Sequence, residues 1–343
     1  MREFLALALV VILVTSPFEF GECKFAIALS DVKEIINGDE ILLPPPWYKR
    51  VSAGGVKVGI VDTGIDPNHP DLPPIDEEHF EDFTSNPKEK PYDDVGHGTH
   101  VAGIIAGTGH FQWSPFHSYF PFGCVGIADG VELYVAKALE RKYDENGGIV
   151  GMGEIDYLVK AIKWLMDPYN DGNGDGNTSD AVDLINLSLG VKVEDGLSSY
   201  WGIQGGDMKG LKAIIKEATE LGIVIVIAAG NHEIDEDASI KPPADMDEVL
   251  TVGVIDYNKK LCYFSNFGSK SKKPDFVAPS VIASTYPLDL DNNGIRDGYI
   301  GLGGTSMAAP VFAGAIAVLM AHNTTLREWA PNLKSITRTS SSD

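Results

Sequence analysis

"VKVGIVD", residues 56–62, carries four β-branched residues around one glycine and ends on a carboxylate. Past Lys57 the run does not alternate apolar with polar, so it reads as a strand covered on both faces. The same texture recurs in "ELYVAKAL" (132–139), "VDLINLSLG" (182–190), "IVIVIAAG" (223–230) and "VLTVGVID" (249–256). Between them lie helical patterns. Ile155, Leu158, Val159, Ile162, Leu165 and Met166 follow i, i+3, i+4, i+7 spacing, as do Met208, Leu211, Ile215 and Ala218. Buried strands separated by amphipathic helices predict an α/β fold, a three-layer sandwich with a mostly parallel central sheet. Ligands of such sheets sit beyond the carboxyl ends of the strands.

Chemically capable residues stand at those ends. Asp62 closes the first strand in "VDTGID", and Asn231 follows another in "AAGN". "GHGTHVAG" (96–103) puts His97 at the start of a small-residue helix, and "GGTSMAAP" (303–310) puts Ser306 at the mouth of an apolar one. Each has a structural reading: a turn-capping Asp, a satisfied histidine, a Gly-Asn turn, a helix cap. His97 and His100 could suggest a metal pair, but no nearby Glu completes a zinc-protease pattern. Taken together the four supply acid, base, nucleophile and amide donor. In a triad the Asp fixes the His tautomer, the His removes the Ser proton, and donors meet the developing oxyanion.

The motifs "VDTGID", "GHGTHVAG", "INLSLG", "AAGN" and "GTSMAAP" resemble those of the subtilisin-like serine peptidases, in that family's order. The resemblance extends through "VGIADGVELYVAKAL", "FSNFG" and "KPDFVAP" and covers roughly residues 55 to 325. It implies a serine endopeptidase with Ser306 as nucleophile, His97 as base and then acid, and Asp62 as orienting carboxylate. It also implies that Asn231 and the Ser306 N–H bind the oxyanion, while Ser188, Leu189 and Gly190 pair with an extended polypeptide substrate. The chain departs from the family in Val311, where His is usual after "MAAP". A catalytically inactive binding or structural protein of the same fold is the alternative function.

A net charge of −22 excludes nucleic acid as an expected partner, since phosphate binding needs a surplus of Lys and Arg. Much of the acid sits in Asn/Asp/Gly loops. "NDGNGDGNTSD" offers Asp171, Asn173 and Asp175, and "DLDNNGIRD" offers Asp289, Asp291 and Asn293. Both loops reproduce the alternating oxygen ligands and sharp-turn glycine of a calcium loop, so Ca²⁺ is the expected cofactor; solvated turns use the same residues. Asp71 in "NHPDL" matches a calcium position of the resembled family.

Arg2 followed by an apolar run from Phe4 to Val14 fits a secretory signal, since eleven residues are too few to span a bilayer. No other segment is expected to cross a membrane. The expected organisation is a signal over 1–28, a short segment over 29–50, a catalytic domain over 51–325 and a tail over 326–343, in a secreted monomer. Cys124 and Cys262 either pair in an oxidising compartment or stay as buried thiols. The aromatic-rich "GHFQWSPFHSYFPFG" (109–123) reads as a self-packed surface loop, with a substrate or protein contact as the alternative, and the acidic "HEIDEDAS" (232–239) is either simply solvated or biases the site toward basic side chains.

Overall fold

The apolar runs without alternation form strands buried on both sides. In a computed structural model the described residues are 20–21, 52–109, 124–144, 146–166, 181–192, 202–232, 238–256, 260–268, 273–291 and 298–322. In chain order the elements are β1 (Phe20–Gly21), β2 (Lys57–Asp62), β3 (Phe80–Asp82), α1 (His97–Ala106), β4 (Glu132–Lys137), β5 (Glu140–Tyr143), β6 (Ile149–Glu154) and α2 (Ile155–Met166). β7 (Leu184–Leu187), β8 (Val191–Lys192), β9 (Gly202–Gln204), α3 (Met208–Glu220), β10 (Val224–Ala228), β11 (Leu250–Ile255) and β12 (Leu261–Cys262) follow. β13 (Phe276–Pro279), β14 (Ile282–Thr285), β15 (Tyr299–Leu302) and α4 (Thr305–His322) complete the chain.

The central sheet runs β1-β12-β11-β10-β7-β2-β4-β3, with β13 also paired to β11. Its ladders are parallel except for the single β11–β12 pairing. Strand faces separate by period two. Val58, Ile60, Leu133, Val135, Val224 and Val226 join the core under α1 and α4. Val61, Tyr134, Ala136, Ile185, Ile225 and Ile227 join the other core, under α2 and α3. A sheet with helices on both faces is the three-layer α/β sandwich that the sequence predicts.

Helix composition follows position. α2 and α3 bury one stripe each, Leu158, Ile162 and Leu165 in the first and Leu211, Ile215 and Ala218 in the second. α4 is apolar around its circumference because it lies inside the protein, between the sheet and α1. It is the one described helix long and apolar enough to cross a membrane, which the sequence reading had not expected of any segment beyond the N-terminal run, and 78% of it is buried in the fold.

Neither alternative holds for both cysteines: Cys124 and Cys262 do not pair, and Cys262 is disulfide-bonded rather than a thiol. Cys124 is a buried thiol whose Sγ donates to the Gly103 carbonyl at 3.4 Å.

Close packing across the sheet needs a missing side chain at Gly59, where an added Cβ would lie 2.8 Å from Leu165 Cδ1. Gly59→Ala is therefore expected to destabilise the protein by about 1–3 kcal/mol, with partial rescue by Leu165→Val, read from urea unfolding midpoints.

Candidate active site

The strand order turns at β2. The chain steps outward from β2 to β4, while later elements build the other way through β7 and β10. In α/β sheets this reversal opens a crevice beyond the carboxyl ends. Val61 lies opposite Leu187 in the β2–β7 ladder, so Asp62 and Ser188 leave the sheet on adjacent strands.

Asp62 is fully buried, and its Oδ1 accepts from His97 Nδ1 at 2.7 Å and from the Thr63 N–H at 2.7 Å. That bond leaves Nε2 as the ring nitrogen able to take a proton. His97 opens α1, and its setting is built by Asp93, which is itself buried. Asp93 Oδ1 accepts from Val95 N, Gly96 N and Thr63 Oγ1, and its Oδ2 accepts from Thr99 N and Thr99 Oγ1. Thr63 Oγ1 in turn accepts from Gly98 N at 2.8 Å. Two of the orphan amides at the start of α1, those of Gly98 and Thr99, are thus met by one hydroxyl and one carboxylate.

Burial disfavours the His97 imidazolium, but the Asp62 charge and hydrogen bond, with a further contribution from Asp93, outweigh it and raise its pKa above the ordinary value. His100 behaves oppositely. Burial, then the charge of His97, pushes its pKa down to about 3, so it is neutral; its Nε2–H is shared between the Ile282 and Ile300 carbonyls at 3.1 Å each. His100 is thus the strut joining α1 to the β14–β15 hairpin.

Ser306 lies in the first turn of α4, one residue past the helix start, and is not its cap. The capping role falls to Asn231, whose Oδ1 accepts from Thr305 N at 2.9 Å and Thr305 Oγ1 at 3.2 Å. With Oδ1 engaged, Nδ2 remains as a donor, and it lies 3.1 Å from where a Cβ on Gly304 would stand. Gly304 has φ +137° and is held at both backbone groups by Ser280, whose Oγ donates to its carbonyl and accepts from its N–H. Pro310 sits inside α4 and has no N–H to return to the carbonyl four residues earlier. That carbonyl belongs to Ser306, and Ser188 Oγ donates to it at 2.8 Å, itself accepting from Asn186 Nδ2. Two groups therefore form, Asp62 with His97 and Ser306 with Asn231 and Ser188. They join through the adjacent ends of β2 and β7 and the packing of α1 on α4. Leu189 is buried and Gly190 exposed.

Sequence reasoning missed Asp93 and Lys137. Lys137 lies within a run read as apolar, yet its ammonium is fully buried, paired with Asp94 at 2.8 Å and donating to the Thr63 and Leu139 carbonyls. Its register partner is Asp62, so it anchors the turn that leaves the site.

Of the expected calcium positions, Asp171, Asn173, Asp175 and Asn293 lie outside the described residues, as do 110–123 and 233–237 of the aromatic and acidic stretches. Asp289 is exposed; Asp291 is buried, with Oδ2 accepting from Gly298 N at 2.7 Å. Asp71 is buried, and its Oδ2 accepts from Cys124 N and Tyr299 OH. Among the described residues no cluster of three His, Cys, Asp or Glu side chains could hold a metal.

The subtilase family profile matches residues 53–343. The chain belongs to the subtilase family. Membership makes it a serine-type endopeptidase. It is 31% identical over 300 residues to the major intracellular serine protease of Bacillus subtilis (strain 168), covering 86% of this chain and 77% of that one. It is 33% identical over 273 residues to subtilisin DY of Bacillus licheniformis, covering 79% and 78%. With the serine protease AprX of Bacillus subtilis (strain 168) it shares 31% over 313 residues, 86% of this subtilase and 61% of the relative.

A base must be neutral to act, so if His97 is the base its raised pKa places the acid limb of activity above the ordinary imidazole value of about 6.5. The kcat/KM–pH profile is expected to fall with a midpoint above that value. Asp93→Asn, by removing one of the charges that favour the imidazolium, is expected to move the midpoint down.

Proposed function

We propose that this subtilase hydrolyses peptide bonds through Ser306, His97 and Asp62, with Asn231 Nδ2 and the Ser306 N–H receiving the oxyanion. The observation that carries the reading is the orientation of Asn231. Its Oδ1 is committed to the start of α4, so its donor is the free end, beside the turn that bears Ser306. In this mechanism Ser306 Oγ attacks the scissile carbonyl while His97 Nε2 takes its proton. The imidazolium is stabilised by Asp62, and the same proton passes to the leaving amine. Water then attacks the acyl-enzyme with His97 again as base. The amino end of α4 adds a positive dipole where the oxyanion develops.

Labelling of Ser306 by a fluorophosphonate, lost in Ser306→Ala, tests the assignment against the alternative of an inactive subtilisin-fold binding protein. Ser306→Ala, His97→Ala and the double variant are expected to lose nearly equal activity, because the groups act as one unit. Multiplicative losses would overturn the triad. Asn231→Leu is expected to lower kcat by about 10²–10³ with KM little changed, the range established on subtilisin itself.

Substrates are extended polypeptides pairing with Ser188–Gly190, and the chain acts as a monomer without nucleic acid. Secretion is supported by the Arg2-led apolar run from Phe4 to Val14; retention of the protein inside the producing cell with this run intact would refute it. Ca²⁺ is assigned to the Asp/Asn/Gly loops at 171–175 and 289–293, where it would offset repulsion among carboxylates. A cation that binds only the folded state at a hundredfold excess over its Kd adds about 2.7 kcal/mol. EGTA is expected to lower the melting temperature, with Ca²⁺ restoring it better than Mg²⁺; identical melting with and without Ca²⁺ would reduce both loops to solvated turns.

A further inference from the structure

The segment that carries Ser188 is already paired. Ser188–Gly190 continue from β7 into β8, and β8 belongs to a small sheet ordered β5-β6-β9-β8. β9 (Gly202–Gln204) lies between the other two walls and bonds to both. On one side Val191 and Lys192 pair with Ile203 and Gln204, and the Ile203 N–H donates to the Gly190 carbonyl at 2.9 Å. On the other side Met152, Gly153 and Glu154 of β6 pair with Gly202, Ile203 and Gln204. The fit is close. Gly202 has φ +147°, and a Cβ there would stand 2.4 Å from the Gly190 carbonyl oxygen. Ile203 is fully buried in the core that also holds Leu187 and Leu189.

Backbone N–H and C=O groups of alternate residues in an extended segment point to one edge. Ser188, Gly190 and Lys192 therefore share an edge. Ser188 is the member tied to Ser306, so a peptide bound for Ser306 meets this edge first at Ser188. Two residues further along, the position it would take is filled by Ile203. We propose that β9 is a built-in strand that closes the acyl side of the substrate groove, so that this enzyme recognises by main-chain pairing only about two residues on the amino side of the scissile bond. The inference rests on Ser188–Gly190 being the substrate strand. It sets the substrate class as peptides read mainly beside the cleaved bond, with little contribution from residues farther upstream.

The test is a series of fluorogenic peptides with two, three and four residues on the acyl side. For the wild type, kcat/KM is expected to change by less than about twofold from two to four residues. Gly202→Ala drives a Cβ against Gly190, and Ile203→Pro removes the N–H that bonds Gly190. Either is expected to free the edge, so that kcat/KM rises roughly tenfold over the same series, as two added main-chain hydrogen bonds would give. Melting curves identify a variant that does not fold, and the wild-type series decides without it: a tenfold rise there overturns the proposal. So does a series that stays flat in folded variants, since β9 would then not be what limits pairing. Fluorophosphonate labelling in parallel separates the two readings. Absence of label defeats the triad, whereas a labelled enzyme with a rising wild-type series defeats only the closed groove.

Discussion

The β2–β7 ladder is the constraint on which the site depends. With Val61 opposite Leu187, the two strands deliver Asp62 and Ser188 to the same height at the carboxyl edge. A slip of one residue would exchange every side chain between the two helix layers. The cores forbid it. Val58 and Ile60 fit under α1 and α4, while the glycine between them accepts Leu165 from the opposite side. The apolar layers therefore hold the polar edge in register, although none of their side chains takes part in the chemistry.

Two of the buried charges beside the site, Asp93 and Lys137, have their hydrogen-bonding capacity met by the protein. Asp93 accepts five hydrogen bonds, all from the turn before α1, the first turn of that helix and Thr63. Lys137 donates three, to Asp94 and two carbonyls. A buried ion is tolerable only when its remaining lone pairs or protons are met in this way. Thr63 connects the two, giving its carbonyl to Lys137 and its hydroxyl to Asp93. The residue after Asp62 is thus fixed on both sides, and with it the direction from which Asp62 meets His97.

Five apolar runs read as buried strands correspond to β2, β4, β7, β10 and β11, and the two periodic stretches to α2 and α3. These were legible because burial on both faces, or on one helical stripe, leaves its own period in the residues. The positions of Asp62, His97, Ser306 and Asn231 were legible because each follows a strand or stands in the first turn of a helix within a run of small neighbours. Asp93 was not, since "YDDVGHG" offers two adjacent acids and nothing in their spacing says that the first turns inward. Lys137 was hidden by its apolar neighbours. β8 and β9 are too short to show a period, and their pairing depends on a return of the chain that no local pattern announces. The apolar helix at whose mouth Ser306 was expected begins at Thr305 and contains Pro310.

Pro310 explains how that helix holds Ser306. A regular first turn would bond the Ser306 carbonyl to the amide four residues on, along the helix axis. With the amide missing, the Ser306 carbonyl reaches sideways to Ser188, fastening α4 to the end of β7. Asn231 fastens the same helix to the end of β10 through Thr305, and Ser280 fixes the preceding Gly304. Ser306 is therefore held from strand ends on separate elements without its own hydroxyl being needed for the helix start. The flexibility that a loop nucleophile would carry is removed, while the small residues at 303 and 304 keep the approach to it free of side-chain bulk.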